Sequence, residues 1–432
     1  MIRRSPLLAT ALLLAAALLS PCSPAVARAQ APGANGPTKQ LSIADMRAWK
    51  SIRGPSVSPD GKWLAYQLAP NDGDASVVIR STTGETSWTF PVGDASSGGR
   101  GGRGGASGAV TISGDSKWAM FSVAPTKAAA EQARKSHKPA ESKVALVDLA
   151  TGHEREFARI GRFAFAGDHP QWVALHTQVE SGGVGAEAGG RGGSAAPTPR
   201  APSSDLLLYR LADGMMVNIG NVGEFGFDHD GQYLAYTVET SDRVGDGIQL
   251  RNLGTDVVRT VDGARAAYRQ LAWADSGLAL AALRVTADSA TRDTTVAVVA
   301  FNDFGAEGPK KTVLELHGRS DAPEGMAISP DRGPTWSEDL GVVYFGLREA
   351  PTPPPKDSGL GTDLQSLIKP GAPGMGGTVN QPKTPAVSDE DLPSLILWHW
   401  NDPRLQSQQI VQEQQDKRYS YLAEYRLGEN RV

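Results

Sequence analysis

A serine nucleophile on a strand-to-helix elbow needs Gly-x-Ser-x-Gly, because glycines on both sides let the strained serine turn and the helix approach closely. That motif is absent. The nearest imitations, Gly105-Ala106-Ser107-Gly108-Ala109 and Gly192-Gly193-Ser194-Ala195-Ala196, lack the second glycine at the right place and lie in low-complexity stretches. The histidines are His137, His153, His169, His176, His229, His317 and His399. None pairs at the i, i+4 spacing of a helical zinc site. His169 and His229 fall in turn-like stretches, and His399 sits in the apolar run Leu397-Trp398-His399-Trp400, where packing with a backbone hydrogen bond is expected. Asn71-Asp72-Gly73-Asp74 has the composition of a calcium loop but lacks spaced ligands and a closing glutamate, so it reads as a turn between strands. Cys22 is the only cysteine, which leaves the mature chain no thiol nucleophile and no thiolate-bound metal. No catalytic, cofactor-binding or metal-binding residue is assigned.

What the residues do specify is a repeated scaffold. Ser58-Pro59-Asp60-Gly61 reads as a type I turn, with proline pre-setting φ and glycine taking the positive φ, and it leads into the strand-like Lys62 to Leu68. The unit returns at Ser113-Gly114-Asp115-Ser116, Ala166-Gly167-Asp168-His169, Asp228-His229-Asp230-Gly231, Ala274-Asp275-Ser276-Gly277 and Ser329-Pro330-Asp331-Arg332, each ahead of an apolar run. Subtracting the marker aspartates 60, 115, 168, 230, 275 and 331 gives intervals of 55, 53, 62, 45 and 56. A second hairpin follows each marker, as in Val77 to Arg80 with Thr83-Gly84, or Val144 to Asp148 with Thr151-Gly152. Two hairpins per period make one four-stranded blade, whose usual size is roughly 40–50 residues. The expected fold is therefore all-β, a β-propeller of about seven blades with the last one incomplete.

Met1-Ile2-Arg3-Arg4, the apolar Leu7 to Leu19 and Ala27-Arg28-Ala29 form a secretory signal peptide over 1–29. The chain is then periplasmic or extracellular, with no transmembrane helix expected. Leu19-Ser20-Pro21-Cys22 only loosely matches a lipoprotein signal, because proline replaces the small residue before the cysteine. The formal charge of −4 becomes −7 when Arg3, Arg4 and Arg28 leave with the signal. A mildly acidic protein has no general electrostatic attraction for nucleic acid.

A linker and short helix are expected over 30–54. Ser42 would be the N-cap, Met46, Trp49 and Ile52 would follow at helical spacing, and Gly54-Pro55 would stop the helix where the propeller (55–432) begins. Three segments interrupt the strand pattern: Gly93 to Gly108, Ser181 to Ser204 and Pro351 to Pro393. Each is too rich in Gly, Ala or Pro to bury much surface, and they read as flexible loops. Lys127 to Lys138 reads as a short helix in a loop.

The helix around Met46-Arg47-Ala48-Trp49 followed by Ser58-Pro59-Asp60-Gly61-Lys62-Trp63-Leu64-Ala65-Tyr66 resembles the N-terminal end of exported bacterial members of the prolyl oligopeptidase family of serine peptidases. The repeats are shared with TolB-like propellers. Leu397-Trp398-His399-Trp400-Asn401-Asp402-Pro403-Arg404-Leu405-Gln406-Ser407-Gln408-Gln409, with Arg418-Tyr419-Ser420-Tyr421-Leu422-Ala423, resembles the late propeller of a long subgroup of that family. The resemblance implies a propeller restricting peptide access to a C-terminal α/β-hydrolase domain that carries Ser, Asp and His. None of the three has a counterpart here, so the expectation is a propeller ending within or near its seventh blade, cut off before its catalytic half and inactive alone. The alternative is a stand-alone TolB-like periplasmic propeller serving as a binding or scaffold module. A propeller enzyme with its site in the central tunnel lacks any convergent acid or histidine set.

Overall fold

The computed structural model describes residues 41–94, 109–136, 141–178, 203–240, 243–275, 278–288, 293–305, 308–350 and 401–432. Residues 1–29, His137, His399, both serine-containing imitations apart from Ala109, and most of the three low-complexity segments lie outside them. Two units are distinguished, Met1–Arg47 and Ala48–Val432, and the second holds all the sheets.

At their junction is a one-turn helix, α1 (Ile43–Ala48). Ser42 caps it as the sequence predicts: the Asp45 N–H donates to Ser42 Oγ (3.2 Å) and the Ser42 N–H donates back to Asp45 Oδ2 (3.0 Å). The helix stops earlier than expected, however. Strand β1 (Lys50–Val57) takes in Ile52, Gly54 and Pro55 and pairs with β2 (Trp63–Pro70), from Lys50 opposite Pro70 onwards. Gly54 (φ +53°) and Pro55 are absorbed by a bulge between Arg53 and Ser56. The ladder to β2 outweighs the helical spacing of Met46, Trp49 and Ile52, so the propeller begins at Lys50 and not at residue 55.

Blade I is completed by β3 (Asp74–Ser81) and β4 (Ser87–Asp94), and blade II by β5 (Thr111–Ile112), β6 (Trp118–Val123), β7 (Lys143–Asp148) and β8 (Glu154–Ala158). Next come β9 (Ile160–Phe165), β10 (Trp172–Thr177), β11 (Ser204–Arg210), β12 (Met216–Phe227), β13 (Tyr233–Val238), β14 (Gly247–Asn252) and β15 (Val258–Gly263), hydrogen-bonded as one seven-stranded sheet. This sheet is two blades sharing a bent strand. The start of β12 pairs with β11 as the last strand of blade III, and Val222–Phe227 pairs with β13 as the first strand of blade IV. The bend falls at Gly220-Asn221, where Asn221 has φ +58°. Blade V is β16 (Ala267–Trp273), β17 (Leu280–Asp288), β18 (Asp293–Gly305) and β19 (Gly308–Leu314).

Blade VI holds β20 (Met326–Ile328), β21 (Thr335–Trp336), β22 (Val342–Glu349) and β23 (Tyr421–Arg426). β20 and β21 occupy the same edge of β22, so they are one first strand interrupted at Ser329–Pro334, while β23 takes the other edge. Six blade units are thus present among the described residues. Every ladder is antiparallel and, with β20 and β21 counted as one strand, joins sequence neighbours; the first strands of successive blades lie side by side, as with β1 and β5, β9 and β12, or β12 and β16. This is a β-propeller.

Apolar clusters lie between successive blades. Ala65, Val77 and Ile79 of blade I meet Phe121 and Val147 of blade II, and Leu283, Val298 and Ala300 of blade V meet Val343 and Phe345 of blade VI. Burying one such phenylalanine or valine contributes roughly 1.5–3 kcal/mol. Blades covered on both faces need apolar residues at consecutive positions, and β10 (Val173-Ala174-Leu175) and β13 (Leu234-Ala235-Tyr236-Thr237) are buried without alternation. Blades I and VI instead alternate along β2 and β22. Five clusters join the six blades in order, and none among the described residues joins blade VI to blade I.

Candidate functional site

Antiparallel order fixes what each face of the propeller carries. Within a blade the first-to-second and third-to-fourth connections fall on one face, and the second-to-third and blade-to-blade connections on the other.

The first face is made of short turns that lock into one another. Ser58 Oγ donates to Asp60 Oδ1 (2.6 Å) and accepts the Trp63 N–H (2.9 Å), while Asp60 Oδ1 accepts the Lys62 N–H (3.0 Å). These bonds hold the Asp60 carboxyl down at about 2, the Ser58 hydroxyl being the largest cause. Ser113 and Asp115 repeat the pattern with Trp118 and Lys117. In blade IV Asp228 takes the serine's place and accepts the Tyr233 N–H at 2.6 Å. In blade VI the pattern is formed by Ser337 and Asp339: Ser337 Oγ donates to Asp339 Oδ1 (2.6 Å) and accepts the Val342 N–H (3.0 Å). The turn is therefore Ser337-Glu338-Asp339-Leu340-Gly341. Ser329-Pro330-Asp331-Arg332, which matches the motif better by letter, is the interruption in the first strand.

Successive turns also touch. The Asp60 N–H donates to Ser116 Oγ across blades I and II (3.2 Å). A methyl group on Gly114 would lie 2.4 Å from the Asp168 carbonyl oxygen, and one on Gly167 2.7 Å from the backbone of Asp230 and Gly231. Trp273 Nε1 donates to the Gly226 carbonyl (2.9 Å), and Gln270 Nε2 to that of Pro330 (2.6 Å). This face is a scaffold.

The second face carries the long connections: β4 to β5, β6 to β7, β10 to β11 and β22 to β23 all cross it. One holds α2 (Lys127–Ser136), the helix expected from sequence. Its first N–H is taken by Asp74 Oδ1 (2.8 Å), and the Lys127 ammonium pairs with Asp72. The Asn71–Asp74 stretch is thus the turn it was expected to be, with two of its acids engaged by Lys127. Another holds α3 (Gln406–Lys417), which takes up the end of the Leu397–Gln409 segment.

On this face, between blades III and IV, are a serine, a histidine and an aspartate. Ser204 Oγ lies 3.1 Å from His176 Nε2, and Asp205 follows Ser204. The chemistry is not that of a nucleophile. His176 Nε2 is 2.8 Å from the Val222 carbonyl, so it carries the proton and has no lone pair for the hydroxyl. Ser204 donates its own proton to the Thr177 carbonyl at 2.6 Å. Asp205 accepts from Asn218 Nδ2 (2.9 Å) and does not orient the ring. Burial pushes the His176 pKa below its ordinary value, against the opposing pull of the Val222 carbonyl, and Arg162 adds to the lowering. His176 pins blade III to blade IV, packing on Phe225, over which the Arg162 guanidinium also lies (4.7 Å). His153, His169, His229 and His317 are exposed, and no group of three potential metal-ligating side chains occurs among the described residues.

Sequence reasoning missed two polar groupings. Buried Asp262 of β15 accepts from Tyr268 Oη (2.9 Å), pairs with Lys311 and lies 3.7 Å from Arg284, tying blade IV to blade V. The second is a cleft of about 840 Å³ at blade VI, between the Asp331–Gly333 interruption and the C-terminal end of α3. Both join residues remote in sequence without a motif, and the arginines of the cleft carried no periodic signal.

No family model and no curated protein matches the chain. Among solved structures it is similar to the β-propeller domain of the trilobed protease from Pyrococcus furiosus, at 10% identity over 69% of this chain and 79% of that one (TM-score 0.34). It is similar to a prolyl endopeptidase at 14% identity, over 70% of this chain and 47% of that one (TM-score 0.32), and to TolB from Acinetobacter baumannii at 12%, over 61% and 56% (TM-score 0.26). At such identities and scores these similarities assign no activity.

Proposed function

We infer that this chain is the substrate-gating propeller of an exported serine peptidase of the prolyl oligopeptidase type, working with a catalytic α/β-hydrolase half that it does not itself contain. The observation that carries the reading is the division of labour between the faces. First strands begin and fourth strands finish on the face that bears the long connections, so a catalytic half joined in sequence would be linked there. The residues of the Arg418–Ala423 stretch that resembles the family also lead into β23 from that face. The opposite face, of interlocked turns, offers no comparable loops.

A stand-alone TolB-like module is the second reading, favoured by the same loops, which suit a protein partner as well as a gate. Reading the gene beyond codon 432 separates the two. An open frame carrying Gly-x-Ser-x-Gly, then Asp, then His supports the gate, and its removal should leave a chain inert toward peptides. A stop codon followed by unrelated sequence, with a monodisperse and inert protein, refutes the gate in favour of the module.

A further inference from the structure

The cleft at blade VI differs from its surroundings in how its cations are held. Nearby guanidiniums have acids: Arg319 pairs with Asp321 (2.7 Å), Arg404 with Asp416 (2.7 Å) and Arg426 with Glu424 (2.8 Å). Arg332 and Arg418 line the cleft, and neither has a carboxylate partner among the described residues. Gln414 and Gln415, from the same end of α3 as Arg418, and the exposed Tyr419 complete the Arg418 wall. Asp331 is the one acid in the lining, and its N–H is bound to Ser329 Oγ (3.2 Å).

The walls are set by packing independent of any ligand. Gln270 of blade V fixes the interruption through the Pro330 carbonyl. Gly346 of β22 lies beneath it: a Cβ there would come 2.7 Å from Arg332 Cβ and 3.1 Å from Ser420 Oγ. The absent side chain is what lets the two walls meet over the strand. The cleft is wide open to solvent, with Arg332, Gln414, Gln415 and Arg418 all exposed.

We propose that this cleft binds the C-terminal carboxylate of a peptide, held between the Arg332 and Arg418 guanidiniums, with Gln414 and Gln415 available to the last peptide units and Tyr419 to the terminal side chain. Guanidinium forks suit a planar carboxylate, and two unpaired cations beside amide groups suit an anion attached to a peptide chain. The proposal rests on the peptide-facing reading of this face, and it gives that face a preference for one end of the substrate.

The test uses the whole chain and one N-terminally fluorescein-labelled pentapeptide, prepared as the free acid and as the C-terminal amide, with binding read by fluorescence anisotropy. The free acid should bind about tenfold more tightly or better, since one charge-assisted contact of this kind is worth about that factor. Arg332→Gln and Arg418→Gln should each remove most of the difference between acid and amide. Gly346→Ala, whose methyl would crowd Arg332 Cβ, should weaken the acid selectively. Equal binding of the two peptides overturns the site and leaves the peptide-facing reading intact. Binding of neither at millimolar concentration overturns both. Inorganic phosphate displacing the free acid at concentrations where acetate does not would identify a phosphate site and overturn the carboxylate assignment. The acid–amide comparison on the unaltered chain decides the matter even if a variant fails to fold.

Discussion

Three glycines of the interlocked face separate two reasons for needing glycine, and substituting each by alanine gives a graded prediction. Gly61 has φ +73° and nothing within 4 Å of a would-be Cβ, so Gly61→Ala meets only backbone strain. That strain is roughly 1–2 kcal/mol, offset by about 0.4–1 kcal/mol from the stiffer unfolded chain. Gly114 is not at positive φ, but its Cβ would meet three backbone atoms of Asp168 at 2.4–2.8 Å. Backbone cannot swing aside as a side chain does, so Gly114→Ala should cost about 1–3 kcal/mol by overpacking. Gly167 combines φ +65° with contacts of 2.7–2.9 Å to the backbone of His229 to Gly231, and Gly167→Ala should cost about 2–5 kcal/mol, the sum of the two effects before the same unfolded-chain offset. The assay is equilibrium urea denaturation of the purified chain, followed by tryptophan fluorescence and far-UV circular dichroism, comparing midpoints at constant slope. The expected order of stability is wild type, Gly61→Ala, Gly114→Ala, Gly167→Ala. A Gly167→Ala variant no less stable than Gly61→Ala would refute the claim that neighbouring turns are packed against each other.

Asp228 has its Oδ2 buried without a hydrogen-bond partner, and burial pushes its carboxyl above the usual range. The folded state therefore binds the proton more readily than the unfolded one, and this group's contribution to stability falls as pH rises through the raised value. Asp228→Asn should keep the Tyr233 contact, stabilise the chain at pH 7 and flatten that part of the pH–stability curve; a loss of stability at pH 7 would refute this. His176 has the opposite sign. Its folded pKa is lowered, so its contribution is complete above about 6.5, the ordinary histidine value, and is lost as pH falls through the lowered one. His176→Gln should weaken the pH dependence of melting temperature below pH 6.5, and an unchanged profile would count against a buried neutral ring. Asp262→Ala leaves Lys311, Arg284 and Tyr268 Oη without their shared acid, and it should cost about 3–5 kcal/mol by thermal or urea unfolding. A cost below 1 kcal/mol would mean the pairing is solvent-screened.

Much of the scaffold was legible because it repeats. Ser58-Pro59-Asp60-Gly61 announces both its turn and the strand after it, and even the degraded copies at Ala166 and Asp228 keep an acid and a glycine where the turn needs them. Blade VI shows the limit. Ser329-Pro330-Asp331 carries the better letters, yet Ser337 and Asp339 make the hydrogen bonds, because pairing with β22 selects the turn and local composition does not. The end of α1 was misplaced for a similar reason: Trp49 and Ile52 fit a helix by spacing, while the ladder from Lys50 to Arg53 is a long-range contact no local window contains. The cleft at Arg332 and Arg418 and the Asp262 network were invisible for want of any motif. They exist only because the fold brings distant strands and loops together.

The meshed turns also bear on how such a chain can lengthen. An extra residue in the Gly114 or Gly167 turn would have to displace the backbone of the neighbouring turn, and that displacement would pass to the next one along. Insertions there would be penalised several times over, whereas one added between β6 and β7 or between β22 and β23 disturbs a single connection. Gene variation is then steered to one side of the disc, where novelty in recognition can accumulate while the opposite rim stays fixed in length.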